Sequence, residues 1–107
     1  MLERKHRGYP KFKKALVGYL AKRDEFLRDI WNKRLHLCAV TNQNLGSEPN
    51  SMYFHHILPK SKYPQFEFNE ENIVLLHPHI HASVELDMYK YEEINKLREA
   101  FRKKYME

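Results

Sequence analysis

A chain of 107 residues with an apolar fraction of 42% and 13% aromatics is long enough for one folded domain with a modest core, and too apolar for a disordered tract. No apolar run approaches the ~20 residues of a membrane span, and the charged start Met1-Leu2-Glu3-Arg4-Lys5-His6-Arg7 has no apolar stretch behind it, which predicts no signal peptide and a cytosolic location. The single cysteine, Cys38, excludes an internal disulfide and a zinc cage of four cysteines, and the net charge of +5 is unevenly placed.

Residues 1–36 hold eleven Lys and Arg against four acidic residues, whereas residues 37–107 hold eight against ten. A cationic arm beside a near-neutral domain suits a polyanion such as DNA. A solvated helix face has the same composition, so the charge by itself is a weak pointer. Within the arm, Phe12, Leu16, Leu20, Leu27, Ile30 and Trp31 recur mostly at spacings of three and four and predict a helix over 11–35. Pro10 stands just ahead of its expected start. A break is expected near Ala21–Asp24, where Asp24 can cap a second helix.

Residues 41–50, Thr-Asn-Gln-Asn-Leu-Gly-Ser-Glu-Pro-Asn, form a loop by composition. A short strand is predicted over Ser51–His56 and a second over Asn72–Leu76, whose Ile-Val-Leu-Leu run is typical of a buried one. The connection Pro59–Glu71 has two prolines and no periodicity, and loops of that length in a compact domain are often functional. Pro78 suits the first position of a helix running to about Tyr105, with a bend or break near Met88–Tyr91. The coarse order is helix, loop, strand, long loop, strand, helix.

Five of the seven histidines fall between residues 55 and 81. Imidazole is the commonest metal ligand and titrates near neutrality, so such a cluster can supply both a metal cage and a general base. On a helix begun at Pro78, His81 and Glu85 are four apart and project from one face, where both can approach one ion. The first strand must bring His55 to the same cleft. Successive strand residues point to opposite sides, so one of His55 and His56 acts as a ligand and the other as a differently directed base.

Each residue also has a bland explanation. His81 with Glu85 can be a helix-surface pair, His77 and His79 surface residues, and Asn72 a turn residue. Tyr53 and Phe54 are expected in the core, Lys60 and Lys62 as solvated charges, and Cys38 as a small buried hydrophobe. The joint placement of histidines on strand, strand and helix outweighs these.

The run His55-His56-Ile57-Leu58-Pro59, the segment Asn72-Ile73-Val74-Leu75-Leu76, His81 nine residues after Asn72, and Glu85 four further on together resemble the HNH endonuclease family. The resemblance covers about residues 37–87. It implies an α+β fold with a ββα-metal core: a two-stranded antiparallel hairpin with a long loop, followed by a metal-binding helix. The basic helical arm 1–36 and a C-terminal helix in 88–107 would pack on that core as one domain. The implied roles are His55 and His81 as ligands of one divalent ion, Glu85 as a third ligand, His56 as the base activating water, and Asn72 as a brace for the loop that orients His56. Mg²⁺ or Mn²⁺ is the family's usual turnover metal, although two imidazoles and a carboxylate also suit Zn²⁺ or Ni²⁺. Many relatives hold a structural zinc with paired Cys-x-x-Cys motifs. Here Cys38-Ala39-Val40-Thr41 stands at the first pair and His77 and His79 stand where later cysteines often appear, so no structural zinc is expected and the two histidines are left as supporting residues without a role.

The implied activity is hydrolysis of DNA phosphodiester bonds, by nicking or double-strand cleavage, in a bacterial, phage or mobile-element setting. Arg4, Lys5, Arg7, Lys11, Lys13 and Lys14 are expected to hold phosphates, with Lys60 and Lys62, and the Arg98–Lys104 run is the alternative grip. No DNA-reading module is evident, so specificity is expected to be low or supplied by a homodimer or a larger protein partner. Two other readings are a nuclease toxin with an immunity partner, disfavoured by a chain that starts at its own Met, and a catalytically silent nucleic-acid-binding module, disfavoured by the intact His56.

Overall fold

The computed structural model describes the backbone of residues 2–107 and the side chains of 13–107. The architecture is α+β. A long helix α1, Leu2–Lys33, leads into a loop and a two-stranded antiparallel sheet of β1, Phe54–His56, and β2, Ile73–Leu75. Two further helices follow, α2 over Pro78–Leu86 and α3 over Glu92–Tyr105. No helix is long and apolar enough to cross a membrane.

The expected break at Ala21–Asp24 is absent, and α1 begins at Leu2 rather than after Pro10. Ala, Lys and Arg are strong helix formers. Asp24 does not cap a new helix but pairs with Arg28 one turn on, at 2.9 Å. Among the described residues of the apolar stripe, those of the second half reach the core. Ile30 and Trp31 are buried with Phe26 and Leu27 packed beside them, whereas Leu16 and Leu20 remain exposed. Arg34 then ties the end of α1 to the sheet, donating to the carbonyls of Ile73 and Glu70.

The strands are shorter than expected. Residues 51–53 form a single 3-10 turn, capped by the Asn50 side chain on the Met52 N–H, before β1 begins at Phe54. Asn72 ends another such turn, Glu70–Asn72, and β2 starts after it. The register pairs Phe54 with Leu75, His55 with Val74 and His56 with Ile73. Further backbone bonds, Leu76 N–H to Tyr53 and Ile57 N–H to Asn72, extend the hairpin at both ends. All of β2 is buried, as its unbroken apolar run predicts.

Between the strands the long loop is held by its own aromatics and by Asn72. Phe66 packs edge-on against Phe101 of α3, and Phe68 against Tyr19 and Phe26 of α1. The fully buried Asn72 side chain accepts from Leu58 N–H at 2.8 Å and donates to the carbonyls of Leu58 at 3.1 Å and Phe66 at 3.3 Å. The start and the middle of the loop are therefore pinned to the residue before β2.

Pro78 is the first residue of α2, and the helical stretch does break, over Asp87–Tyr91, before α3. Ile94, Arg98 and Phe101 form the buried face of α3, while Leu97 stays exposed. Arg98 is thus no part of a DNA-gripping run. Its guanidinium donates to Asn95 and to the Met88 carbonyl, and it lies over the Tyr89 ring. Lys104 of the same run is tied to Glu71 at 2.8 Å. One apolar cluster joins α1, the 38–45 loop, both strands, α2 and Ile94 of α3. Cys38 lies within it, as a small buried hydrophobe should.

Replacing Asn72 by Ala strands a buried N–H at Leu58 and two carbonyls. Asn72→Ala should lower unfolding free energy by roughly 2–3 kcal/mol, at the upper end of the cost of such groups, as read by urea denaturation. A loss below about 0.5 kcal/mol would show that the loop does not depend on this side chain.

Candidate metal centre

β1 carries two adjacent histidines, and the strand pleat sends them different ways. His55 is buried and turns toward α2, where its ring meets that of His81 edge-on at 5.1 Å. Pro78 starts α2 and the His77 side chain caps it, accepting from the His79 N–H, so His81 falls in the first turns with Glu85 one turn below. One donor atom from each of His55, His81 and Glu85 lies within 4.8 Å of the others. Among the described residues no other set of three His, Cys, Asp or Glu comes together in this way.

The donor chemistry suits a divalent cation. His81 Nδ1 donates to the Met52 carbonyl at 2.6 Å, which leaves Nε2 for the Glu85 carboxylate at 3.1 Å. Both ring nitrogens therefore face oxygen atoms, and Nε2 with the Glu85 carboxylate offers two donor atoms to one metal ion. A backbone carbonyl holding the distal nitrogen is the usual outer support of a metal-binding histidine. His55 Nδ1 is 3.8 Å from the same Glu85 oxygen. Burial, and then the nearby His81, hold the His55 pKa down to about 4, against the opposing pull of Glu85. His55 is thus neutral at pH 7, the form a metal requires.

His56 leaves the strand in a different direction, toward the long loop. Its Nε2 donates to the Glu67 carbonyl at 3.0 Å, so the lone pair sits on Nδ1. Burial, reinforced by the Lys60 charge, lowers its pKa below 6.5, although the Glu67 carbonyl opposes this. A neutral imidazole with a fixed tautomer results. One cleft is lined by His55, His56, His81 and Glu85, with Lys60 and Ser61 at its rim.

Other expected residues fall outside this cluster. His77 is the cap of α2, and His79 is exposed, its backbone N–H donating to the His77 ring and its own ring lying edge-on to it. Lys60 is at the cleft, donating to the Tyr19 hydroxyl at 3.2 Å with Glu67 beside it at 4.0 Å, whereas Lys62 is exposed. Lys13 and Lys14 are exposed on α1, and the side chains of Arg4, Lys5, Arg7 and Lys11 lie outside the described residues. Sequence reasoning missed Met52 and Glu67, whose contributions are carbonyls that no residue type announces. It also missed Arg98 as a core residue, although its spacing from Ile94 and Phe101 marks the buried face.

No protein-family model matches this chain, and neither a curated protein nor a solved structure matches it. The geometry of the site therefore carries the functional argument.

Two outcomes follow for the metal-free protein. The unfolded chain takes up a proton on His55 near pH 6.5, while the folded one resists until about 4. Stability from this group is present above pH 6.5 and is lost as pH falls toward 4, by roughly 3 kcal/mol at 1.36 kcal/mol per unit. Urea denaturation across this range should show a steeper loss for the parent than for His55→Gln; equal slopes would refute it. By calorimetry, His81→Ala should lose Mn²⁺ or Zn²⁺ affinity at least about tenfold more than His79→Ala, since only His81 stands at the shared centre.

Proposed function

We propose that this protein is a metal-dependent endonuclease of the HNH type that hydrolyses DNA phosphodiester bonds. One observation carries the reading: a fixed, neutral imidazole, His56, lines the same cleft as the three-donor cluster of His55, His81 and Glu85. A binding module needs no base beside a ligand set. The antiparallel hairpin, its long braced loop and α2 support a ββα-metal arrangement, and the spacing of His55-His56, Asn72 and His81 agrees with it.

His55, His81 and Glu85 would hold the divalent ion, which when bound supplies Lewis-acid stabilisation of charge on the phosphate and the leaving 3′ oxygen. The remaining work belongs to side chains. His56 Nδ1 accepts the proton of the attacking water, and the Nε2–H bond to Glu67 stabilises the imidazolium that forms. Asn72 acts through the loop. By pinning Leu58 and Phe66 it sets the position of the Glu67 carbonyl, and hence the ring of His56. Burial, with Lys60 adding to it, keeps the His56 pKa low, and Lys60 places a positive charge at the rim where a phosphate enters. Mg²⁺ or Mn²⁺ serves turnover in this reading, and the softer donors allow Zn²⁺ or Ni²⁺ to bind.

A plasmid-nicking assay with and without EDTA tests the activity directly. His56→Ala should cut at least ~10²-fold more slowly in single turnover, the low end for a general base. Metal and DNA affinity should hardly change, because a base acts on the transition state rather than on ground-state binding. Near-normal cutting by this variant would remove His56 from the mechanism. No metal-dependent nicking by the parent would remove the nuclease reading itself.

A further inference from the structure

Beyond the metal centre, the cleft does not stop at His56. A second hollow, between α1 and the long loop, is bounded by His56, Lys60 and Glu67 on one side and by Arg23 on the other. A third continues outward along α1 past Arg23, Asp24 and Arg28 to Asn50. The first and second share Phe54, His56 and Lys60, and the second and third share Arg23, Ser51 and Phe54. Together they form one path from the candidate ligands across the middle of α1.

The charges along this path are nearly all spoken for. Arg28 is paired with Asp24. Glu67 is engaged by the Tyr19 hydroxyl and by Lys60. Arg23 is the exception: half-buried, it has neither a hydrogen-bond acceptor nor a carboxylate among the described residues. Removing a guanidinium from water without a partner is unfavourable, and its planar fork matches a phosphate.

We propose that Arg23 binds a backbone phosphate of the DNA strand beside the scissile bond, so that the strand runs from the metal cleft across α1 between Arg23 and Lys60. This deepens the nuclease reading and rests on it. It also moves the phosphate grip from the N-terminal lysines to the centre of α1. The geometry gives the reason: Arg23 and His56 line one hollow, while Lys13 and Lys14 lie more than two helical turns further up α1.

The test compares the full-length parent with Arg23→Ala, Arg23→Gln and Arg23→Lys. Binding to a short fluorescein-labelled duplex is measured by anisotropy in EDTA, where the DNA stays intact, over a series of salt concentrations. Single-turnover cutting is measured at saturating DNA with Mn²⁺. Loss of one phosphate contact should weaken binding about tenfold in Arg23→Ala and Arg23→Gln. It should also flatten the salt dependence by ~0.9 log unit in slope. Arg23→Lys should restore the slope but only part of the affinity, since an ammonium lacks the fork. Calorimetric Mn²⁺ affinity and the melting temperature of Arg23→Gln should match the parent. A parent that cuts DNA while Arg23→Gln keeps full affinity and slope overturns this proposal alone. A parent that neither binds nor cuts overturns it together with the nuclease reading.

Discussion

The site depends on one buried amide. Asn72 sits at the end of the long loop, and three hydrogen bonds from its side chain reach back to Leu58 and Phe66. The strands flanking that loop are three residues each, too short to define the path of the chain between them. Without Asn72 the connection from Pro59 to Glu71 would be held by its aromatic contacts and by surface ties such as Lys104 to Glu71 and Arg34 to the Glu70 carbonyl. With it, the Glu67 carbonyl has a set position, and the His56 ring inherits a tautomer and an orientation. A polar group fully removed from water is tolerable only because each of its hydrogen-bonding atoms finds a partner.

The candidate metal centre is assembled differently. Three donors from two elements converge within 4.8 Å. His55 is pushed toward its neutral form by burial, and His81 has oxygen acceptors at both nitrogens. Burying the ionisable His55 beside a second histidine disfavours its charged form, as is common at sites kept for binding or catalysis. The frame around it is held elsewhere in the molecule: by the shared apolar cluster, the Arg34 clamp between α1 and β2, and the Glu71 contacts with α3. Loop and sheet are gripped from both sides, by α1 through Tyr19 and Phe26 and by α3 through Phe101.

Much of the local structure was legible in the residues. The loop over 41–50, the buried second strand, the start of α2 at Pro78 and the interruption before α3 all follow from composition and periodicity. The misjudged features are those where a local signal met a tertiary one. Asp24 looked like a cap but found Arg28 on its own helix. Leu16 and Leu20 carry a helical apolar spacing, yet nothing among the described residues covers them. Residues 51–53 looked extended, but the Asn50 side chain and the Met52 carbonyl bond to His81 favour a tight turn. Arg98 read as a surface cation because charge dominated its neighbourhood, although its helical phase placed it inside.

Residue types and spacing alone settle what lies on one element. The 3.6-residue period puts His81 and Glu85 on the same face of α2, and the two-residue period separates His55 from His56. What lies across elements is a different matter. That His55 meets His81, that Asn72 reaches Leu58, and that Arg23 of α1 shares a hollow with His56 depend on how the hairpin and helices pack. Several decisive partners are backbone carbonyls, at Met52, Glu67 and Phe66. Every residue has a carbonyl, so no choice of side chain announces where one will be placed; only the folded chain decides it.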